Sequence, residues 1–255
     1  MRSAIGFLLV GAMACAATAA PRKKPAARTK PSPTRDRHAS SRFSHPTDAG
    51  DTPAVHYGAL DAGACLAELK HREIAFTSVD SARGVRIPVR LAGPLHGVTF
   101  RTDERDSVRA TSPYEIADCR LVLAMDDFAA ILAREGVVEV RHYSMYRPPS
   151  KSWPEGKEAG QHNGALALDA GRFTFADGTQ LSVDRDFHGA IGDATCGDKA
   201  APHPATAAAL KLRAILCETS DAHLFNVMLT PNFNRPHHNH FHLEVMAHAL
   251  WFLLH

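Results

Sequence analysis

A chain of 255 residues with 45% hydrophobic content is long enough to bury one sizeable core. Its 29 Lys and Arg against 27 Asp and Glu leave a formal net charge of +2 with neutral His, so no chain-wide field marks a nucleic-acid partner. No stretch after the N-terminus is long and apolar enough for a membrane helix, and no Cys-x-x-Cys pair marks a structural zinc site.

The chain opens MRSAIGFLLVGAMACAATAA. Arg2 gives a positive start, Ile5 to Ala14 an apolar stretch and Ala17-Thr18-Ala19 a small-residue cleavage site, so residues 1–19 are expected to be a signal peptide that sends the protein to the periplasm or beyond. Lipid attachment at Cys15 is an alternative, although Ala12 stands where a branched aliphatic residue is usual. Residues 20–53 are rich in Pro, Lys, Arg, Ser and Thr and nearly empty of large apolar side chains; such a segment buries too little surface to offset its ordering entropy and reads as a basic, disordered linker. A folded domain is expected over 54–255.

Within that domain, apolar positions at helical spacing predict helices over Ala62–Arg72 and Met125–Glu135, the second with a cap region at Asp126-Asp127. Val137–Tyr146 reads as a strand. Ala165–Leu168 and Arg172–Phe175 read as paired strands, and Asp177-Gly178 as a turn before Leu181–Val183. A helix is expected over Ala205–Cys217, and strands over Leu224–Leu229 and Phe241–Val245. Helices and strands mix without regular alternation, which predicts an α+β domain with an antiparallel sheet. Four Cys remain after signal cleavage and allow three pairings. Cys65–Cys119 and Cys196–Cys217 are favoured, because each joins a predicted helix to a nearby segment.

The stretch Asn-Arg-Pro-His-His-Asn-His-Phe-His over 234–242 holds four of the sixteen histidines. On a strand His240 and His242 share one face with Glu244, while Phe241 and Leu243 point to the core. His237 lies in the approaching loop and can fold back over the same face; His238 is expected to point away. Two imidazoles do not complete a metal site, since zinc takes at least three protein ligands. His162 and Asp169 supply the remainder: a turn at Asn163-Gly164 and a short apolar strand would bring both to one ion. Glu244 is a candidate partner for a ligand His. Asn234 is expected to shape the turn, and Tyr143, Trp153 and Trp251 are aromatic candidates for a substrate groove.

Tyr143-Ser144-x-x-Arg147, then His162-x6-Asp169, then Asn234-x-x-His237-x-x-His240-Phe241-His242 resembles the bacterial extensin-like C-terminal domain family over residues 60–246. The His-x6-Asp and His-x-His pieces are similar to those of the D-Ala-D-Ala metallopeptidases, the lysostaphin-type endopeptidases and Hedgehog-like domains. Gly160 stands where many relatives carry Ser, and Ala165 where the family has Gly. The resemblance implies a Hedgehog/DD-peptidase-like fold and zinc held by His162, Asp169 and His242. It also implies that His237 is the general base, that His240 lies beside the water or substrate, and that Arg147 orients substrate or stabilises an oxyanion. The implied activity is peptide-bond hydrolysis in peptidoglycan, by a monomer with no specific nucleic-acid partner. The alternative is a catalytically silent, zinc-stabilised domain that binds the cell envelope.

Overall fold

The protein is described by a computed structural model over residues 42–255. The expected signal peptide, Cys15 and the expected linker up to residue 41 lie outside the described residues.

In chain order the elements are β1 (Arg42–Ser44), α1 (Pro53–Ala59), α2 (Ala62–His71), β2 (Phe76–Ser78), β3 (Pro88–Leu91), β4 (Thr99–Arg101), α3 (Asp106–Arg109), β5 (Ile116–Asp118), α4 (Cys119–Arg134) and β6 (Val137–His142). They continue with β7 (Ala167–Phe175), β8 (Gln180–Ser182), α5 (Val183–Asp186), α6 (Ala207–Asp221), β9 (Val227–Leu229), β10 (Phe241–Glu244) and β11 (Phe252–Leu254). The main sheet runs β1-β11-β9-β10-β7-β6-β4, with β8 also on β7; β2, β3 and β5 form a second, antiparallel sheet. The class is α+β as expected, but the main sheet is mixed rather than antiparallel, because β4 runs parallel to β6 and β11 parallel to β9.

Helix α2 matches its expected range. Helix α4 starts six residues before the expected Met125, at the point where the Asp118 side chain accepts from the Arg120 amide and caps the helix. Asp126 and Asp127 therefore lie inside α4 and do not cap it. They take the Arg72 guanidinium instead, at 3.1 and 2.9 Å, which ties α2 to α4. Thr206 caps α6 by accepting from the Ala209 amide. One buried apolar cluster joins Phe128 and Leu132 of α4 and Leu212, Ile215 and Leu216 of α6 to Leu168, Phe173, Phe241 and Leu243 of the sheet. Within the range expected to be linker, β1 pairs with β11 and the Phe43 ring sits edge-on to Trp251 at 5.6 Å.

The two strands expected at 165–168 and 172–175 are one strand, β7. Its first half pairs with β10 and its second half with β8, while β6 runs along the other side. Arg141 lies opposite Arg172 but His142 lies opposite Ala170, so Gly171 is an extra residue, a β-bulge. The bulge changes the parity of the strand. Asp169 and Phe173 are four apart and would share a face of a regular strand. Here Phe173 turns into the core against Phe241, at 5.8 Å between ring centres, and Asp169 faces the other way.

Both expected disulfides are present, Cys65–Cys119 and Cys196–Cys217, with Cα–Cα distances of 6.1 and 5.6 Å. No helix among the described residues is long and apolar enough to cross a membrane. The first disulfide closes a loop of 54 residues between α2 and α4. Removing it through Cys65→Ala with Cys119→Ala should lower the unfolding free energy by about 2–4 kcal/mol in urea titrations. Unchanged stability would mean that helix packing alone constrains this pair.

Candidate functional site

On the face of the sheet away from the helices, β7 and β10 place Asp169 directly opposite His242. Asp169 is 1% exposed. His162 arrives from the 3-10 turn Gln161–Gly164 that precedes β7. Its Nε2 lies 2.9 Å from Asp169 Oδ1 and 3.2 Å from His242 Nδ1, and His242 Nδ1 lies 3.1 Å from the same Oδ1. His242 lies 73 residues beyond Asp169 in sequence, yet the polar atoms of the three residues form a nearly equilateral triangle in a buried place.

Hydrogen-bond partners assign the ring protons. The Met145 carbonyl, 3.3 Å from His162 Nδ1, can only accept, so Nδ1 carries hydrogen and Nε2 offers a lone pair. Glu244 Oε2, 3.4 Å from His242 Nε2, likewise accepts, which leaves Nδ1 of His242 with its lone pair. Asp169 Oδ1 is an acceptor as well. Three lone pairs thus converge where water is largely excluded, an arrangement that is repulsive unless a positive charge joins it. A proton is one such charge. Burial opposes protonation of His242, but the hydrogen bonds to Asp169 and Glu244 outweigh it and push the imidazole up to about 9. For His162 burial prevails over Asp169 and its pKa falls. Burial would raise the Asp169 carboxyl, yet its three imidazole neighbours hold it far below the usual carboxylate range.

A metal ion is the other such charge, and the donor set fits one. Bonds of about 2.0–2.1 Å around a tetrahedral zinc put its ligand atoms roughly 3.3–3.4 Å apart. The triangle edges are shorter by a few tenths of an ångström only. Two imidazoles with one carboxylate suit zinc better than magnesium or calcium, which prefer oxygen alone. Glu244 behind His242 and the Met145 carbonyl behind His162 orient the rings, as outer partners of ligand imidazoles do.

The other expected residues gather here. Arg147 donates from Nη2 to Asp169 Oδ2 and from Nε to Ser144 Oγ at 2.9 Å, so it grips the oxygen that the imidazoles leave free. Its amide donates to the His162 carbonyl at 2.9 Å, which ties the 3-10 turn to the segment after β6. His240 Nε2 lies 3.3 Å from Asp169 Oδ1, outside the triangle. The His237 ring centre lies 5.8 Å from that of His242 and 5.2 Å from that of His240. Asn234 does more than shape the turn. Its Oδ1 accepts from His237 Nδ1 at 2.7 Å, which leaves His237 Nε2 as a free lone pair. Burial, reinforced by His240 and His242, lowers His237 to about 4 and keeps that lone pair available. The i, i+3 spacing of Asn234 and His237 is the only signal in the sequence for this contact.

His238 points away, with 60% of its side chain exposed. Trp153 donates to the Lys157 carbonyl and Trp251 packs on Phe43, so of the three aromatic candidates only Tyr143 touches the site, edge-on to His240 at 5.8 Å. Gly164 gives the turn its close approach: a Cβ there would lie 2.0 Å from the Ala159 carbonyl oxygen. Ala165 takes the left-handed conformation, with φ of 55°, that a glycine accepts more readily. Gly164→Ala should cost about 1–3 kcal/mol of stability by overpacking this turn. Calorimetric unfolding that matches the unsubstituted protein would show that the turn can shift without loss.

Comparison with known proteins places the chain in a family. Neither the curated proteins nor the solved structures give a significant match to the chain. The family model described as extensin-like protein C-terminus matches residues 63–253, a span that contains every residue of the site and both disulfides. The chain belongs to the extensin-like C-terminal family.

Proposed function

We propose that the chain is an exported zinc peptidase that hydrolyses peptide bonds in peptidoglycan stem peptides or cross-links, on a fold of the Hedgehog and D-Ala-D-Ala peptidase type. The observation that carries this reading is the meeting of three buried lone pairs, on His162 Nε2, Asp169 Oδ1 and His242 Nδ1, beside a fourth on His237 Nε2 that is free to move a proton. The two disulfides fit an oxidising compartment, as expected of a protein with a signal peptide over residues 1–19.

His162, Asp169 and His242 would hold the zinc, and Arg147 on Asp169 Oδ2 would keep that carboxylate turned with Oδ1 inward. When bound there, zinc supplies an acidified water and a Lewis acid for the scissile carbonyl. His237 Nε2 would accept the proton of a water whose oxygen adds to the carbonyl carbon. The same imidazole then delivers the proton to the amine nitrogen as the C–N bond breaks, so atoms and charge balance. Asn234 holds the tautomer that this shuttle needs. His240 stands over Asp169 beside Tyr143. Asn239 Oδ1 accepts from its Nδ1 at 2.8 Å, so the doubly protonated ring is the form that would present a hydrogen on Nε2 to the carbonyl oxygen as it gains charge. Arg147 is 52% exposed, and its Nη1 has no protein partner among the described residues, so it can meet the same oxygen.

Two measurements test this. Purified protein given zinc should retain about one ion per chain after dialysis, and Asp169→Ala should retain almost none; several weakly held ions, or full retention by Asp169→Ala, would contradict the centre. Mass spectrometry of purified peptidoglycan incubated with the zinc-loaded protein should reveal new peptide termini, and His237→Ala should slow their release by about 100-fold or more. A digest with no new termini, from protein that does hold zinc, would leave the silent envelope-binding domain in place of the peptidase.

A further inference from the structure

Beside the metal-site residues lies a recess of about 280 Å³ that the mechanism above does not use. Arg141 and Arg172, which are cross-strand neighbours on β6 and β7, line it together with Arg185 from α5. Like charges directly opposite each other on neighbouring strands are destabilising. Here one carboxylate oxygen relieves the cost: Asp103 Oδ1 accepts from Arg141 Nη1 at 3.2 Å and from Arg172 Nη2 at 2.6 Å. Arg141 has further partners in Glu139 Oε1 and the Thr102 carbonyl. Arg172 uses only one of its five donors on the described residues, and Arg185 has no acidic partner among them. Among the lining residues three arginines face one carboxylate, Asp103, with Glu139 on Arg141 and Asp184 near Tyr143 beyond the lining. Arg172 and Arg185 keep unused planar forks, the geometry that takes carboxylate in a bidentate way.

The wall between this recess and the metal-site residues is one residue thick. Tyr143 and Gly171 both line the recess. The Tyr143 ring lies against the Gly171 backbone so closely that a Cβ there would meet Cε2 at 2.9 Å, and its edge meets His240 at 5.8 Å. Gly171 is the bulge residue two positions after Asp169. A chain crossing His240 and Asp169 would therefore pass over Tyr143 directly into the arginine recess.

We infer that Arg141, Arg172 and Arg185 form a subsite for a carboxylate of the bound peptide, so that the protein selects acidic peptides with that group held one residue step from the metal centre. This rests on the peptidase reading for the identity of the ligand, but the recess is read from its own residues. The size of the recess accommodates a carboxylate-bearing side chain or chain end.

The test is titration calorimetry on the zinc-loaded full chain. Its two probes are a synthetic peptidoglycan stem peptide with free carboxylates and the same peptide with them amidated. The free acid should bind about tenfold or more tightly than the amide. Arg172→Gln with Arg185→Ala should bring the two affinities within about twofold, while the affinity for the amide and the melting temperature stay unchanged. Equal affinities for the two peptides in the unsubstituted protein, or discrimination that survives in the double variant, would overturn the subsite. Discrimination without any cleavage of either peptide would remove the peptidase reading and leave the subsite. Cleavage of both at equal rates with equal affinities would do the reverse.

Discussion

The pairing of Asp169 with His242 across β7 and β10 is the contact on which the rest of the site depends. It places a carboxylate oxygen and a ring nitrogen 3.1 Å apart on two central strands, where neither can retreat into solvent. Every neighbour follows from that demand. His162 completes the triangle from the turn before β7, and Arg147 and Ser144 hold the other carboxylate oxygen. Glu244 and the Met145 carbonyl set the imidazole protons so that lone pairs face inward. A buried carboxylate with three imidazoles around it is costly to build unless charge is balanced there. Arg147 on Oδ2 and a proton on His242 meet part of that cost, and the proposed function assigns the rest to a cation among the three lone pairs.

The sheet supports this pair by an irregularity. One extra residue at Gly171 lets β7 send Phe173 into the core and Asp169 to the opposite face. It also makes room for the Tyr143 ring, which lies where any side chain on residue 171 would stand. The bulge thus connects three things that would otherwise be separate: the core, the carboxylate at the centre of the site and the aromatic wall beside it.

Residues that announce themselves by type and spacing were legible in the sequence. His162, Asp169, His240 and His242 stood out as a set, and the strand alternation placed His242 and Glu244 on one face. The disulfide pairing was the favoured one of three, because each pair joins a predicted helix to a nearby segment. What escaped depends on tertiary partners. The segment 72–118 carries the second sheet, whose strands of three or four residues are too short for a periodic signal. The start of α4 rests on one capping contact from Asp118, while Asp126-Asp127, which looks like a cap, serves Arg72 across the helix pair. The parallel pairings of β4 and β11 join strands distant in sequence, and alternation on one strand cannot reveal its neighbour's direction. Arg141, Arg172 and Arg185 are ordinary surface cations in sequence; only register and the bulge assemble them.

The claim that carries most weight is that His162, Asp169 and His242 bind one zinc ion together. X-ray absorption at the zinc edge on the purified, zinc-loaded protein tests it directly. The account predicts a shell of four nitrogen and oxygen neighbours at about 2.0–2.1 Å with the outer scattering of two imidazoles. A shell of oxygen neighbours alone, or imidazole scattering unchanged in His162→Ala and His242→Ala, would contradict it.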